Sequence, residues 1–286
     1  MTLPFVSNAS SEQICTGSHE IQWREPLNTL ALKKNEVHLW RLNLENSYCV
    51  PEWDQVLSPE EVVRAKRFII PEKRKQFIAA HILLHMILSA YMQNSAQDIR
   101  LDYQPGGKPI LWHTLASENI QFSLTHSNQW MLAAISRRIP LGIDLEHLEL
   151  IKEKKWILEN LFAEDDRERY QHLSPHEQDE TLIRVWTLKE AVLKSVGLGI
   201  CNSKWIKQLN CLGMNFSSDA TFRQINGEPF WMFSFKPVAG FLGSMAALTI
   251  TEPKIYYWDA NLSTFPQLHI CPNSEMRFSP LMQDYE

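Results

Sequence analysis

Residues 120–148 read IQFSLTHSNQWMLAAISRRIPLGIDLEHL, and this stretch decides the fold. IQFSLTHS (120–127) and WMLAAIS (130–136) are two alternating runs separated by Asn128-Gln129, which predicts a β-hairpin. Pro140 then begins LGIDLEHL (141–148), a further strand. On it Asp144 and Glu146 stand at i and i+2, so both side chains leave the same face. Their Cα atoms are expected about 6–7 Å apart. Two carboxylates of unequal length at that spacing can converge on one hard cation with bonds of about 2.1 Å. The plainer reading is a solvent-facing acidic pair at a strand end. The apolar LGI that delivers both charges to one spot argues against it.

Working outward, VHLWRLNL (37–44) alternates as a strand. Ser58-Pro59-Glu60-Glu61 opens a helix, with Ser58 as cap, Pro59 at the first position and Glu61 completing a capping box. A longer helix runs from about Pro71 to Tyr91, with Phe77, His81, Leu84 and Leu88 on one stripe. Gly106-Gly107 marks a turn. Beyond the central stretch the order repeats. An acidic-headed helix lies near Glu164–Leu173, a Ser174-Pro175 start leads a long helix to about Val196, and strands fall near Phe230–Lys236 and Leu242–Thr251.

The repeat predicts an α+β fold of two similar α/β lobes, 37–138 and 139–252, with the active site in the cleft between them. The second lobe carries the candidate metal site, the pair Asp144 and Glu146. Residues 1–36 show no sustained period and read as an extension wrapped over the core or partly mobile. Residues 253–286, rich in proline and without a clear period, read as a tail packed on the surface.

The 286 residues are 44% hydrophobic and 21% charged, enough to bury a sizeable core. A formal charge of −5 gives no whole-chain attraction for nucleic acid or membrane, so any anion site is local. One candidate is Arg64, Lys66, Arg67, Lys73, Arg74 and Lys75, opposed within that stretch only by Glu72. The five cysteines are scattered without a CxxC, against a disulfide framework or zinc knuckle. The first residues lack the basic and apolar regions of a secretory signal, and Phe77–Met92 is interrupted by His81 and His85. The expected compartment is the cytoplasm.

A second constellation is VWTLKEAVLKSVGLG (185–199). On a helix Trp186, Glu190 and Lys194 fall at i, i+4 and i+8 on one stripe, with Lys189 beside it. That is either an ordinary Glu–Lys helix pair or a third oxygen ligand or base, Glu190, with a phosphate-neutralising Lys194. Gly107-Lys108-Pro109 places a lysine in a stiffened turn. His126, between Thr125 and Ser127 at a strand end, is either a structural hydrogen-bonder or a ligand-binding group. His81 and His85 have the i, i+4 spacing of a metal pair, but no further ligand completes it, so they read as packing residues.

In this order, GKP (107–109), FSLTHS (122–127), GIDLE (142–146) and WTLKEAVLKSVGLG (186–199) resemble the 4′-phosphopantetheinyl transferases of the larger, pseudo-dimeric Sfp-like type, over about residues 37–251. The resemblance implies a monomer with internal pseudo-twofold symmetry. It also implies transfer of phosphopantetheine from coenzyme A to a serine of an apo acyl or peptidyl carrier protein, releasing adenosine 3′,5′-bisphosphate. Mg2+, or Mn2+, would be held by Asp144, Glu146 and Glu190. Glu190 doubles as base, and Lys189 and Lys194 meet the diphosphate. His126 lies beside the 3′-phosphate, with Lys108, Pro109 and Thr125 in the cofactor pocket.

Three departures accompany the match. Gln76 stands where the family commonly has an arginine, and His81 and His85 where arginines are frequent. Asp166 stands in place of a glutamate. Lys73, Arg74 or Lys75 is then expected to supply the lost charge. The basic segment is either a dock for an acidic carrier helix or a solvated face. The rival readings are a non-catalytic or weakly active coenzyme-A-binding homologue and an unrelated Mg2+-dependent phosphoesterase.

Overall fold

In a computed structural model the described residues are 21–26, 30–45, 53–112, 119–149, 154–199, 203–207, 209–212 and 220–260. The first lobe contains β1 (Glu36–Asn43), α1 (Trp53–Val56), α2 (Pro59–Lys66), α3 (Pro71–Met92), β2 (Leu101–Tyr103), β3 (Pro109–Leu111), β4 (Ile120–Ser127) and β5 (Trp130–Arg137). The second contains β6 (Leu141–His147), α4 (Lys154–Asn160), α5 (Glu164–Gln171), α6 (Pro175–Ser195), α7 (Ser203–Lys207), β7 (Thr221–Ile225), β8 (Glu228–Phe235) and β9 (Phe241–Leu248). A last strand, β10 (Lys254–Ala260), follows.

The repeat seen in the sequence is a repeat of topology. One sheet runs β10-β1-β5-β4 and the other β6-β9-β8-β7. In each, the lobe's first strand pairs antiparallel with the second arm of its hairpin, β1 with β5 and β6 with β9. Both capping boxes form. Ser58 Oγ accepts from Glu61 N at 3.2 Å and Glu61 Oε2 from Ser58 N at 2.9 Å. Ser174 and Glu177 repeat the exchange at the start of α6.

Alternation along the strands builds the layers. On β1 and β5, Trp40, Leu42 and Met131 turn to a core shared with α3, while Leu39 and Leu132 turn the other way. There they meet Ile143, Leu145 and Met245, so the two sheets pack face to face between two long helices. α6 covers the outer face of the second sheet through Val185, Leu188 and Val192 against Phe230 and Met232. No helix among the described residues is long and apolar enough to cross a membrane.

The expectation of a surface tail from residue 253 is corrected by β10. It pairs parallel with β1, Lys254 opposite Glu36 through Ala260 opposite Leu42. Arg41 and Asp259 form an ion pair across the ladder. Residues 21–26 lie along its other edge, where Arg24 N donates to Tyr257 O at 3.1 Å and Asp259 N to Arg24 O at 2.7 Å. The extension thus covers a sheet edge that would otherwise be open. Residues 1–20 and 261–286 lie outside the described residues, as does that part of the expectation.

Candidate active site

Strand β6 positions the site by its pleat. Leu141, Ile143 and Leu145 enter the core between the sheets. Gly142, Asp144 and Glu146 therefore face the other way, toward α6. Gly142 lets the helix touch the strand: a Cβ there would lie 2.0 Å from Ala191 O and 2.6 Å from Ser195 N. That approach sets Glu190 and Lys194, one turn apart on α6, over Asp144.

The opposite wall is β4, which packs along β6 from the first lobe. Its hydroxyls alternate as Ser123, Thr125 and Ser127, and all three reach β6. Ser123 Oγ accepts from Ile143 N at 3.2 Å, Thr125 Oγ1 donates to Asp144 Oδ1 at 3.1 Å, and Ser127 Oγ donates to Glu146 Oε2 at 3.1 Å. Lys194 Nζ donates to Asp144 Oδ1 at 2.6 Å and to Ile143 O at 3.2 Å. The site is thus the seam between the lobes.

Electrostatically the seam carries too much negative charge. Burial first, and then the charge of Asp144, push the Glu146 carboxyl up to about 7, with Ser127 and Lys194 offsetting only part of this. Burial and Asp144 push Glu190 up to about 7 as well. Lys194 is raised in turn, because Asp144, Glu190 and Glu146 outweigh its burial. Asp144 Oδ2 is buried without a hydrogen-bond partner.

An orphaned carboxylate oxygen beside two strained acids fits a hard cation, which prefers oxygen donors. The three acids are not drawn into a closed shell: among the described residues no three His, Cys, Asp or Glu side chains are gathered as metal ligands. Lys194 provides the countercharge at Asp144 instead.

Cations rim the seam. Lys108 Nζ donates to Leu141 O at 2.9 Å, and burial and Lys194 lower its ammonium to about 8. Its turn is wedged against the end of α6, where a Cβ on Gly106 would meet Gly197 O at 2.3 Å. Pro109 opens β3 opposite Tyr103. His126 keeps solvent contact, yet the surrounding protein, Lys73, His81 and Lys194 hold its imidazole down to about 4. Exposure together with crowding is what a concave rim produces, and the cations around it suit an anion.

Several sequence-predicted residues are placed otherwise. Lys189 is fully buried and turned away from the carboxylates, with Nζ donating to Leu161 O and, at 3.2 Å, to Lys207 O. It braces α4 and α7 against α6 and does not line the seam. Arg74 Nη2 donates to Phe68 O at 2.8 Å, holding the turn before α3, and Lys75 is half-buried on the same helix. Thr125 serves Asp144 directly. Asp166 is a buried anchor that accepts from Cys211 N at 2.7 Å and Leu212 N at 2.9 Å. Gln76 Nε2 ties α3 to the β4–β5 turn through Asn128 O at 2.9 Å.

Three groups escaped the sequence reading. Ser123 and Ser127 were signalled by the period-two hydroxyls of FSLTHS. Glu61, read as a cap, also accepts from His81 Nδ1 at 2.7 Å and His85 Nε2 at 3.0 Å. That explains why two helical histidines are buried, and only the fold could bring α2 to them.

Known proteins resemble this chain over both lobes. Residues 140–248 match the 4′-phosphopantetheinyl transferase superfamily, and residues 49–137 match the family described as 4′-phosphopantetheinyl transferase, N-terminal. The 4′-phosphopantetheinyl transferase HetI of Nostoc sp. is 33% identical over 186 residues, 65% of this chain and 78% of HetI. The 4′-phosphopantetheinyl transferase Sfp of Bacillus subtilis is 27% identical over 159 residues, 51% of this chain and 68% of Sfp. The L-aminoadipate-semialdehyde dehydrogenase-phosphopantetheinyl transferase of Rattus norvegicus is 24% identical over 152 residues, 50% of this chain and 49% of its own length.

Proposed function

Because the chain belongs to the 4′-phosphopantetheinyl transferase superfamily, we propose that it transfers phosphopantetheine from coenzyme A to a serine of an apo acyl or peptidyl carrier protein, in the cytoplasm. The observation that carries this reading is the seam itself. Asp144, Glu146, Glu190 and Lys194 are held together there between β4 and α6, beneath a cationic rim.

In the reaction the partner's serine oxygen attacks the pantetheine-side phosphorus of the coenzyme A diphosphate. The new Oγ–P bond replaces the bridging P–O bond, and adenosine 3′,5′-bisphosphate leaves. Glu190, with its carboxyl near 7, is poised to take the serine proton at neutral pH. Lys194, charged and held at Asp144, sets a cation at the seam for the diphosphate, and Lys108 and His126 line the approach for its anionic end. Mg2+ bound by Asp144, Glu146 and Glu190 would neutralise diphosphate oxygens. Thr125 and Ser127 fix the two strand carboxylates for that task.

The test is mass spectrometry of an apo carrier protein after incubation with the chain, coenzyme A and Mg2+. A phosphopantetheine adduct on one serine is expected. Hydrolysis of coenzyme A without an adduct would mark a phosphoesterase, and binding with neither product would mark a non-catalytic homologue.

A further inference from the structure

One side chain ties the two lobes together behind the seam and takes no part in the chemistry described so far. Arg41, on β1, points into the layer between the sheets, the side of its strand that Val37 and Leu39 share. Its Nη1 donates to Pro237 O at 2.7 Å, in the β8–β9 turn of the second lobe. Its Nη2 pairs with Asp259 on β10, in the first sheet. The guanidinium also lies over the rings of Trp23 and Trp130, 4.7 and 5.6 Å from their centroids. A planar fork with donors at two ends can serve an acceptor in each lobe at once and still stack on indoles; a lysine cannot.

Both anchors lead to one hydrogen bond of the seam. Trp130 stands opposite Ser127 in the β4–β5 ladder, and Ser127 Oγ donates to Glu146 Oε2 at 3.1 Å. In the second lobe, the turn that contains Pro237 is fastened to the end of β6. Leu148 N donates to Gly240 O at 2.9 Å, and Phe241 and Leu242 pair with His147 and Glu146. Arg41 thus bridges the strand pair that carries the Ser127 hydroxyl and the turn that holds the Glu146 backbone. The hydroxyl and the carboxylate belong to different lobes, and a displacement of about 0.5 Å is enough to end such a bond.

We propose that Arg41 is a positioning residue for the transfer reaction: acting through Trp130 and the 236–240 turn, it sets the register between Ser127 and Glu146 from behind the seam. Catalysis that consists of placing charges is sensitive to this, since a misplacement of about 1 Å costs on the order of 10² in rate. The inference rests on the transferase reading.

The experiment is a double-mutant cycle, with transfer to an apo carrier protein followed by mass spectrometry for hours so that slow variants stay readable. Arg41→Ala should lower kcat about tenfold or more and leave the KM for coenzyme A within about twofold. In a Ser127→Ala background, where the bond it sets is already gone, the same substitution should cost less than about twofold. Arg41→Lys keeps the charge but serves one anchor at a time, so its kcat should fall between those of wild type and Arg41→Ala. In the chain alone, the Leu148 amide should exchange hydrogen about tenfold faster in Arg41→Ala. The Arg138 amide, bonded to Asn119 O at 2.7 Å, should keep its rate. A lowered thermal transition with kcat unchanged in the folded variant would make Arg41 a structural clasp and overturn the proposal. So would an equal loss in both backgrounds, a wild-type kcat in Ser127→Ala, an unchanged Leu148 exchange rate, or failure of both the alanine and the lysine variants to fold. No transfer by wild type to any apo carrier would instead remove the transferase reading, and the positioning role with it.

Discussion

Glu61 in the first lobe is fully buried and Glu146 in the second partly so, yet the protein treats them in opposite ways. Burial alone would raise Glu61, but hydrogen bonds from His81 and His85 reverse it and hold the carboxyl well below the ordinary range. Ser58 N supplies a further donor at 2.9 Å. Glu146 has Ser127 as its donor and Asp144 and Glu190 as charged neighbours, and its carboxyl is pushed up to about 7. A buried acid with its donors inside the chain is complete in itself. A partly buried acid among other acids lacks a cation, and that deficit marks where a ligand belongs. The two lobes share a topology, and this difference separates a structural acid of the first from the chemical acids of the second.

The comparison breaks most sharply at Glu190. Glu190→Gln should lower kcat for carrier modification by roughly 10²–10⁴ without lowering the thermal transition. Activity within a few fold of wild type would remove its role as base. Next comes Glu61→Ala, which removes the acceptor of His81 Nδ1 and His85 Nε2 and leaves His85 only its contact with Ala96 O. It should cost about 3–5 kcal/mol in urea unfolding, and a loss below about 1 kcal/mol would show that the histidines find other partners.

Glu146→Gln should act in the opposite direction. Its folded carboxyl titrates near 7 against an ordinary 4.5, so the folded state holds the proton more tightly. Stability from this group is full below 4.5 and is lost as pH rises through 7. Metal-free Glu146→Gln should therefore be more stable than wild type at pH 8, by about 2 kcal/mol, and equal to it at pH 4.5. Added Mg2+ should close the gap at pH 8 by stabilising wild type alone. Glu61 has the reverse sign, contributing above the ordinary range and losing its contribution as acid is added. The smallest effect separates the two caps. Ser58→Ala, at a buried cap, should cost about 1–2 kcal/mol, and Ser174→Ala, at the exposed one, about 0.5–1 kcal/mol by the same melt.

Much of this was legible in the sequence because local rules agreed with the fold. Alternation in 120–148 gave the hairpin and β6, and the Ser-Pro-x-Glu starts gave α2 and α6 with their boxes intact. The meeting of Asp144 with Lys194 follows from strand and helix periods together. β10 was hidden because IYYW carries no alternation and its partner β1 lies more than two hundred residues earlier. Lys189 was misplaced because it adjoins Glu190 in sequence. Successive residues on a helix diverge by about 100°, and that turn sends it behind the helix to Leu161 O. The α4 and α7 helices and β7 are short, and so gave no period to read.

The return of β10 to β1 makes everything from β6 to β9 an insertion within the first lobe. The outgoing and returning crossings lie side by side, with Leu248 N bonded to Pro140 O at 2.8 Å. During translation every strand of the inserted sheet leaves the ribosome before the strand that closes the older one. The nascent first lobe must therefore wait with the β1 edge unpaired, exposed to wrong partners, until residues 254–260 emerge.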